Sequence, residues 1–371
     1  MLNGRDPRID FFRGLALIFI FWDHVPHNPL GQITLRNFGF SDAAEVFVFL
    51  AGYAAVLAYG KILQRDGYWF ATLKILRRTW VLYVVHIFLL AMLMGIVFFA
   101  NSHVETRDLV EEMGLTHFVT HPQQALTDEL LLRFKPNLMD PLPLYIVLLG
   151  GLPLVLPLLL RKTWLVVGAS MTVYLLAPWM GWNLRAIEDG VWYFNPVTWQ
   201  LLFVLGGAAA IRSGQPKPAQ SLPLQRQPLF VAAAVYVLVT GLITVSWRWP
   251  EIHDALMPAL ISDLIYPISK TDLSPVRLLH FLALAYVTAK LLPGAGWTQN
   301  PVAAQVGRMG RFSLEIFCLG VLIAPLADML NAMAGDTLTM QLLTAVAGVV
   351  LMAALGAWLD LNKRLSQPRA I

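Results

Sequence analysis

The sequence predicts an all-α polytopic membrane protein, a bundle of about ten transmembrane helices with both termini in the cytoplasm. Three observations lead there. Charged residues make up only 13% of the 371-residue chain, against about 25% in soluble domains, while hydrophobic residues make up 57% and mean hydropathy is +0.62. The apolar residues gather into ten runs, most near the length that carries a helix across roughly 30 Å of hydrocarbon. The basic residues collect in alternate connections between those runs.

The runs cover about 11–27, 43–63, 80–100, 142–160, 164–182, 197–212, 229–246, 277–292, 312–330 and 338–359. They do not alternate as barrel strands would, and a helix satisfies its own backbone in lipid, so each is expected to be helical. The first, FFRGLALIFIFWDHV, runs toward Pro26 and Pro29. The second opens on Asp42 and Glu45, spaced as a capping box. Lys74, Arg77, Arg78 and Trp80 stand before the third, as interfacial anchors do. The fourth contains Gly150, Gly151, Pro153 and Pro157, which predict a kink. The Pro/Gln-rich stretch 213–228 reads as a flexible linker between two groups of spans. No internal repeat is evident, and the whole of 1–371 is expected to form a single transmembrane domain.

Lys and Arg set the orientation. With the N-terminus in the cytoplasm, the inner segments hold 19 basic residues and the outer ones 8. Most of the basic residues sit in these connections, so the net charge of +4 does not imply nucleic acid. No small-residue cleavage site follows the first apolar run, so no cleavable signal is expected. The single cysteine, Cys318, excludes an intrachain disulfide and a Cys-based metal site. The histidines lack a tight ligand spacing, and no phosphate loop, nucleophile elbow or His-Glu-x-x-His motif occurs, so no metal is expected. The outer segments 101–141, which is acidic and carries three histidines, and 247–276 are long enough to be functional.

Arg13 and His24 are eleven residues apart in the first span. That is almost three helical turns, so they share nearly one face, roughly 16 Å apart along the axis. Ionisable residues within a membrane segment are costly and mark function by default. An arginine near one surface and a histidine well inside fit a long anionic ligand, held at its charged end by Arg13 and met at its reactive end by His24. Arg13 read as a snorkelling anchor is the bland alternative. Imidazole titrates near neutrality and can take a proton from an attacking hydroxyl. Asp23 is adjacent in sequence and so points about 100° away on a regular helix. Glu45 reads equally as a helix cap and as a group that orients His24 or contacts a sugar. Lys74, Arg77 and Arg78 read as anchors or as a phosphate cradle, since Arg binds oxygens in bidentate fashion. Trp192, Asn195, Trp199 and Gln200 form an aromatic and polar group at the outer interface, suited to an aromatic belt or to sugar stacking.

The segments DPRIDFFRGLALIFIFWDHVPHNPL and TLRNFGFSDAAEVFVFLAGYAAVLAYG resemble the OpgC family, the membrane succinyltransferases of osmoregulated periplasmic glucans, and WYFNPVTWQLLFVLGG resembles it too. OpgC proteins resemble the wider acyltransferase-3 superfamily. Its marker of an Arg, ten residues and a His is met by Arg13 and His24, and its basic pair before the third span by Lys74 to Arg78. Two places depart from the superfamily. VFVFLAGY carries Ala51 where a serine is usual, and FSLEIFCLG has Gly320 near the place of a late histidine.

The resemblance implies transfer of an acyl group, most simply succinyl, from cytoplasmic acyl-CoA to a periplasmic glucan at the bacterial inner membrane, with no permanently bound cofactor. His24 is then the catalytic base, with Asp23 and Glu45 beside it in the candidate site. Arg13, Lys74, Arg77 and Arg78 are the candidate CoA ligands, and Trp192, Asn195, Trp199 and Gln200 the candidate acceptor ligands. The expected partners are acyl-CoA, the glucan and membrane lipids. Acetyl transfer to another surface polysaccharide or lipid, and a glycan transporter or flippase, are the competing readings.

Overall fold

The computed structural model describes residues 6–213, 227–292 and 294–366. The linker expected over 213–228 lies, but for its ends, outside the described residues, as do Arg5, Lys217, Arg226 and Arg369 of the basic count. Among the described residues the chain is helical, with no strand beyond one isolated bridge between Arg185 and Val191.

In chain order the helices are α1 (Pro7–Asp23), α2 (Ala43–Asp66), α3 (Tyr68–Asn101), α4 (Leu109–Glu112), α5 (Thr116–Thr120), α6 (Pro122–Leu130), α7 (Pro141–Arg161) and α8 (Thr163–Trp179). They continue as α9 (Pro196–Ser213), α10 (Pro228–Ser246), α11 (Pro250–Leu256), α12 (Ala259–Ile265), α13 (Pro275–Leu291), α14 (Pro301–Arg311), α15 (Ser313–Met333) and α16 (Leu338–Leu365). Prolines open many of them, because the missing N–H of the first turn costs nothing there and φ is already helical.

Every apolar run falls on a helix. Six of these, α2, α3, α7, α10, α15 and α16, are long and apolar enough to cross a membrane. The helices α1, α8, α9 and α13 have 17, 17, 18 and 17 residues. At 1.5 Å per residue they span about 26–27 Å, just under the roughly 30 Å hydrocarbon core. One helix extends well beyond its expected boundary. α3 starts at Tyr68 and runs for 34 residues, so Lys74, Arg77 and Arg78 lie within the helix and not before it. α7 passes through Pro153 and Pro157 as one helix.

The helices cluster into two compact units. One comprises Leu35–Val84 and Asp140–Pro293, the other Arg5–Thr34, Val85–Met139 and Gly294–Ile371. In the first, α2 and α9 make the most extensive pairing. A Cβ on Gly52 would strike the Phe203 carbonyl, and one on Gly206 the Phe49 carbonyl. Each glycine therefore admits the other helix's backbone, the small-residue contact that replaces hydrophobic driving force in lipid. In the second unit α1 and α14 cross the same way, Gly14 against Val306 and Gly310 against Asp10.

Residues 101–139, in the segment expected on the outer side, pack within the second unit. Leu109, Leu115, Ala125, Phe134 and Met139 are buried. Arg107 reaches Asp328 on α15 at 2.5 Å, and His86 of α3 lies 3.0 Å from Glu129 of α6. The segment is acidic in composition. The apolar residues spaced through the segment supply the buried face.

Candidate functional site

In the second unit, α1 ends at Asp23. Val25 precedes Pro26, and a residue before proline is disfavoured in the α region. His24 is the C-cap, with φ −110° and its N–H on the Phe21 carbonyl. It is therefore exposed at the C-terminal end of α1, where the expected run continued to 27. The next turn is tied back firmly. Asn28 donates to the Trp22 carbonyl at 3.1 Å and caps the 3-10 turn that begins at Pro29. The Thr34 hydroxyl donates to Asp23 at 2.6 Å. Asp23 thus joins the helix end to the turn that presents His24.

His24 Nδ1 lies 2.6 Å from the Ile20 carbonyl oxygen. A carbonyl only accepts, so Nδ1 carries the proton, and in the neutral ring the basic lone pair belongs to Nε2. The ring borders a narrow apolar cleft of about 10 Å³, part of it continuous with solvent. Leu17, Ile20 and Phe21 of α1 form one wall, and Ile316, Phe317, Gly320, Val321 and Ala324 of α15 another, with Leu138 and Met352 completing it. His24 is the single ionisable side chain in that lining.

Arg13 stands three turns back along α1 and donates to the Ser313 hydroxyl at the start of α15. The cleft-lining residues of both helices lie between this pair and His24. The Gly14–Gly310 crossing brings the end of α14 to the same place. Arg308 and Arg311, counted in the sequence simply as inner charges, flank that end and pair with Asp360 of α16. Nothing in their spacing marks them, because the helix crossing alone associates them with Arg13.

The first unit holds a different cluster. Asp42 and Glu45 form both halves of the expected capping box. Glu45 is fully buried, accepts from the Asp42 N–H at 2.8 Å, and takes the Arg277 Nε at 2.7 Å. Asp42 lies 2.6 Å from Lys270 and 3.2 Å from Arg277. Burial alone would raise the Asp42 carboxyl, but Lys270 and Arg277 hold it below the usual carboxylate range. Burial likewise works against charge on Lys270, and Asp42 and Glu45 outweigh it, so that amine is held above its ordinary value. The two cations come from residues far along the chain, and sequence reasoning did not associate them with the capping box.

The outer aromatic group braces this unit from inside. Trp192, Asn195 and Trp199 are buried. Asn195 donates to the Trp182 carbonyl and to Asp272, Trp199 donates to the Lys270 carbonyl at 3.1 Å, and Gln200 exchanges two hydrogen bonds with Ser170 of α8. Those polar atoms are committed to the fold, and exposed Tyr193, 6.0 Å from the Lys270 amine, is the surface ring here. Of the basic trio, Lys74 and Arg77 are exposed and Arg78 half-buried. They sit three and four residues apart on one face of α3, in the first unit, whereas Arg13, Asp23 and His24 belong to the second.

The family model described as OpgC protein matches residues 5–364. No curated protein and no solved structure matches the chain. With the match covering nearly the whole length, and six helices of membrane-crossing length and composition, the chain belongs to the OpgC family, which points to a glucan-modifying acyltransferase.

Proposed function

We propose that this protein is a transmembrane O-acyltransferase that moves a succinyl group from cytoplasmic succinyl-CoA to hydroxyls of a periplasmic glucan, with His24 as general base. The carrying observation is the apolar cleft between the Arg13–Ser313 pair and the His24 ring. The donor's phosphates meet Arg13, Arg308 and Arg311, and its sulfur end runs along the cleft to His24. The sugar hydroxyl attacks the thioester carbonyl while its proton passes to Nε2 of His24. The tetrahedral intermediate then expels the CoA thiolate, which recovers that proton. The Nδ1–H bond to the Ile20 carbonyl holds the ring and supports its positive charge during the step. Turnover of labelled succinyl-CoA by the purified protein in proteoliposomes, with a β-glucan oligosaccharide as acceptor, tests this. Labelled glucan is expected. Glucan movement without acylation overturns it in favour of transport.

Charge-assisted hydrogen bonds to phosphate are worth about 1.5–3 kcal/mol. Arg13→Ala is therefore expected to weaken succinyl-CoA binding by about one to two decades, measured by titration calorimetry on the detergent-solubilised protein. Unchanged affinity would remove Arg13 from the donor site.

The same reading has ten spans in one transmembrane domain of the bacterial inner membrane, with both ends in the cytoplasm. The bias of basic residues, 19 against 8, supports it. Segments 28–42, 101–141, 183–196 and 247–276 then face the glucan, and only the acyl group crosses. Ser102 and Ser366 are both exposed and fall on opposite sides in this topology. Cysteines placed there singly, in a Cys318→Ala background, separate the alternatives. A membrane-impermeant thiol reagent on intact spheroplasts is expected to label the first and spare the second. The reverse pattern would invert the orientation.

A further inference from the structure

Gly320 lies in the interior of α15, where glycine is among the poorest residues for helix stability. Two local causes keep a glycine in such a place. One is a neighbouring backbone or ring too close for a side chain, and the other is a left-handed φ. The second unit shows the first cause clearly. A Cβ on Gly14 would strike the Val306 carbonyl, on Gly310 the Asp10 carbonyl, and on Gly348 the Phe21 ring. Gly320 shows neither cause. It is not among the residues of positive φ, and an added Cβ would meet Met352 Cε at 3.9 Å, an ordinary contact. Gly95, Gly151 and Gly168 also have nothing close, but Gly95 and Gly168 lie exposed on helix surfaces and Gly151 is half-buried. Gly320 is buried and forms part of the wall of the His24 cleft.

A buried glycine with room for a side chain keeps that room for something other than the protein. Gly320 is two turns beyond Ser313, about 10 Å along α15, and so lies between the Arg13 contact and the His24 end. Opposite it stand Leu17, Ile20 and Phe21. The lining there is apolar, suited to methylenes and a sulfur and poorly suited to a charge.

We propose that Gly320 is a specificity-determining residue for the acyl donor: its missing side chain keeps clear the wall along which the slim, sulfur-bearing methylene end of a thioester donor lies beside His24. This rests on the donor path proposed above. Substitution here narrows the path without touching the groups that hold the phosphates or move the proton.

The test uses the full-length protein in detergent or nanodiscs, with acetyl-CoA and adenosine 3′,5′-bisphosphate as probes. The second carries the phosphates but no arm. Gly320→Leu is expected to weaken acetyl-CoA binding at least tenfold and to leave adenosine 3′,5′-bisphosphate binding unchanged. Gly320→Ala should give a smaller loss, with an unfolding temperature equal to or above wild type, since alanine is the better helix former. Met352→Ala, which removes the nearest side chain, should restore part of the acetyl-CoA affinity to Gly320→Leu. Equal loss of both probes, a destabilised Gly320→Ala, or a folded Gly320→Leu that binds acetyl-CoA as wild type does would each overturn the assignment while leaving the donor reading intact. A folded wild type that binds neither probe would overturn the donor reading itself, and the role of Gly320 with it.

Discussion

His24→Ala is expected to lower acyl transfer by roughly 10²–10⁴-fold, the usual contribution of a positioned general base, while succinyl-CoA still binds. His24 caps α1 and donates Nδ1–H to the Ile20 carbonyl at 2.6 Å, so the backbone of its own helix helps to orient the imidazole. Its loss leaves the cleft walls and the Arg13–Ser313 contact in place. His24→Gln offers hydrogen-bonding groups but no base at neutral pH, and it should be equally slow. Single-turnover release of CoA, set beside equilibrium binding of succinyl-CoA, separates chemistry from affinity. Near-normal glucan acylation by a well-expressed His24→Ala protein would sink the assignment.

Arg277→Met is expected to destabilise the protein by about 3–5 kcal/mol, the usual consequence of stranding one member of a buried ion pair. Glu45 is fully buried with Arg277 on Oε1, and the Asp42 carboxylate is close by. Without the guanidinium, Glu45 must stay charged and unpaired or take up a proton. The double variant Arg277→Met with Glu45→Gln should recover much of the loss, because neither residue then buries an unpaired charge. Thermal unfolding followed by tryptophan fluorescence reads both, and an Arg277→Met protein that melts with wild type would show that the cluster carries no stability. The same cluster sets a pH window. Asp42 is held below its ordinary range when folded, so its contribution is complete above about pH 4 and lost as the pH falls further. Lys270 is held above its ordinary value, so its contribution is complete below about pH 10 and lost as the pH rises.

Periodicity and composition suffice for helix identity because a lipid-facing helix must be apolar along its length and must satisfy its own backbone. Each of the ten apolar runs therefore falls on a helix, and the Asp42–Glu45 spacing forms its capping box. The ends were less legible. α3 begins twelve residues before its apolar run, at Tyr68, because a helix continues into the interface with Lys and Arg as readily as with Leu. The segment 101–141 reads as a long outer segment from the bias of basic residues, and the burial of its apolar residues within the fold was not legible in that bias.

By itself, the sequence determined the helical membrane class, through composition and hydropathy, and its quoted segments carried the resemblance to the family that matches residues 5–364. Tertiary structure decided the rest. The Gly14–Gly310 crossing brings Arg308 and Arg311 toward Arg13, Arg277 and Lys270 neutralise Asp42 and Glu45, and α15 faces α1 to form the cleft in which Gly320 leaves its space. The physical reason is common to these cases. A long-range ion pair or a vacant wall position depends on which helix faces meet, and residues hundreds apart carry no local signal of that meeting.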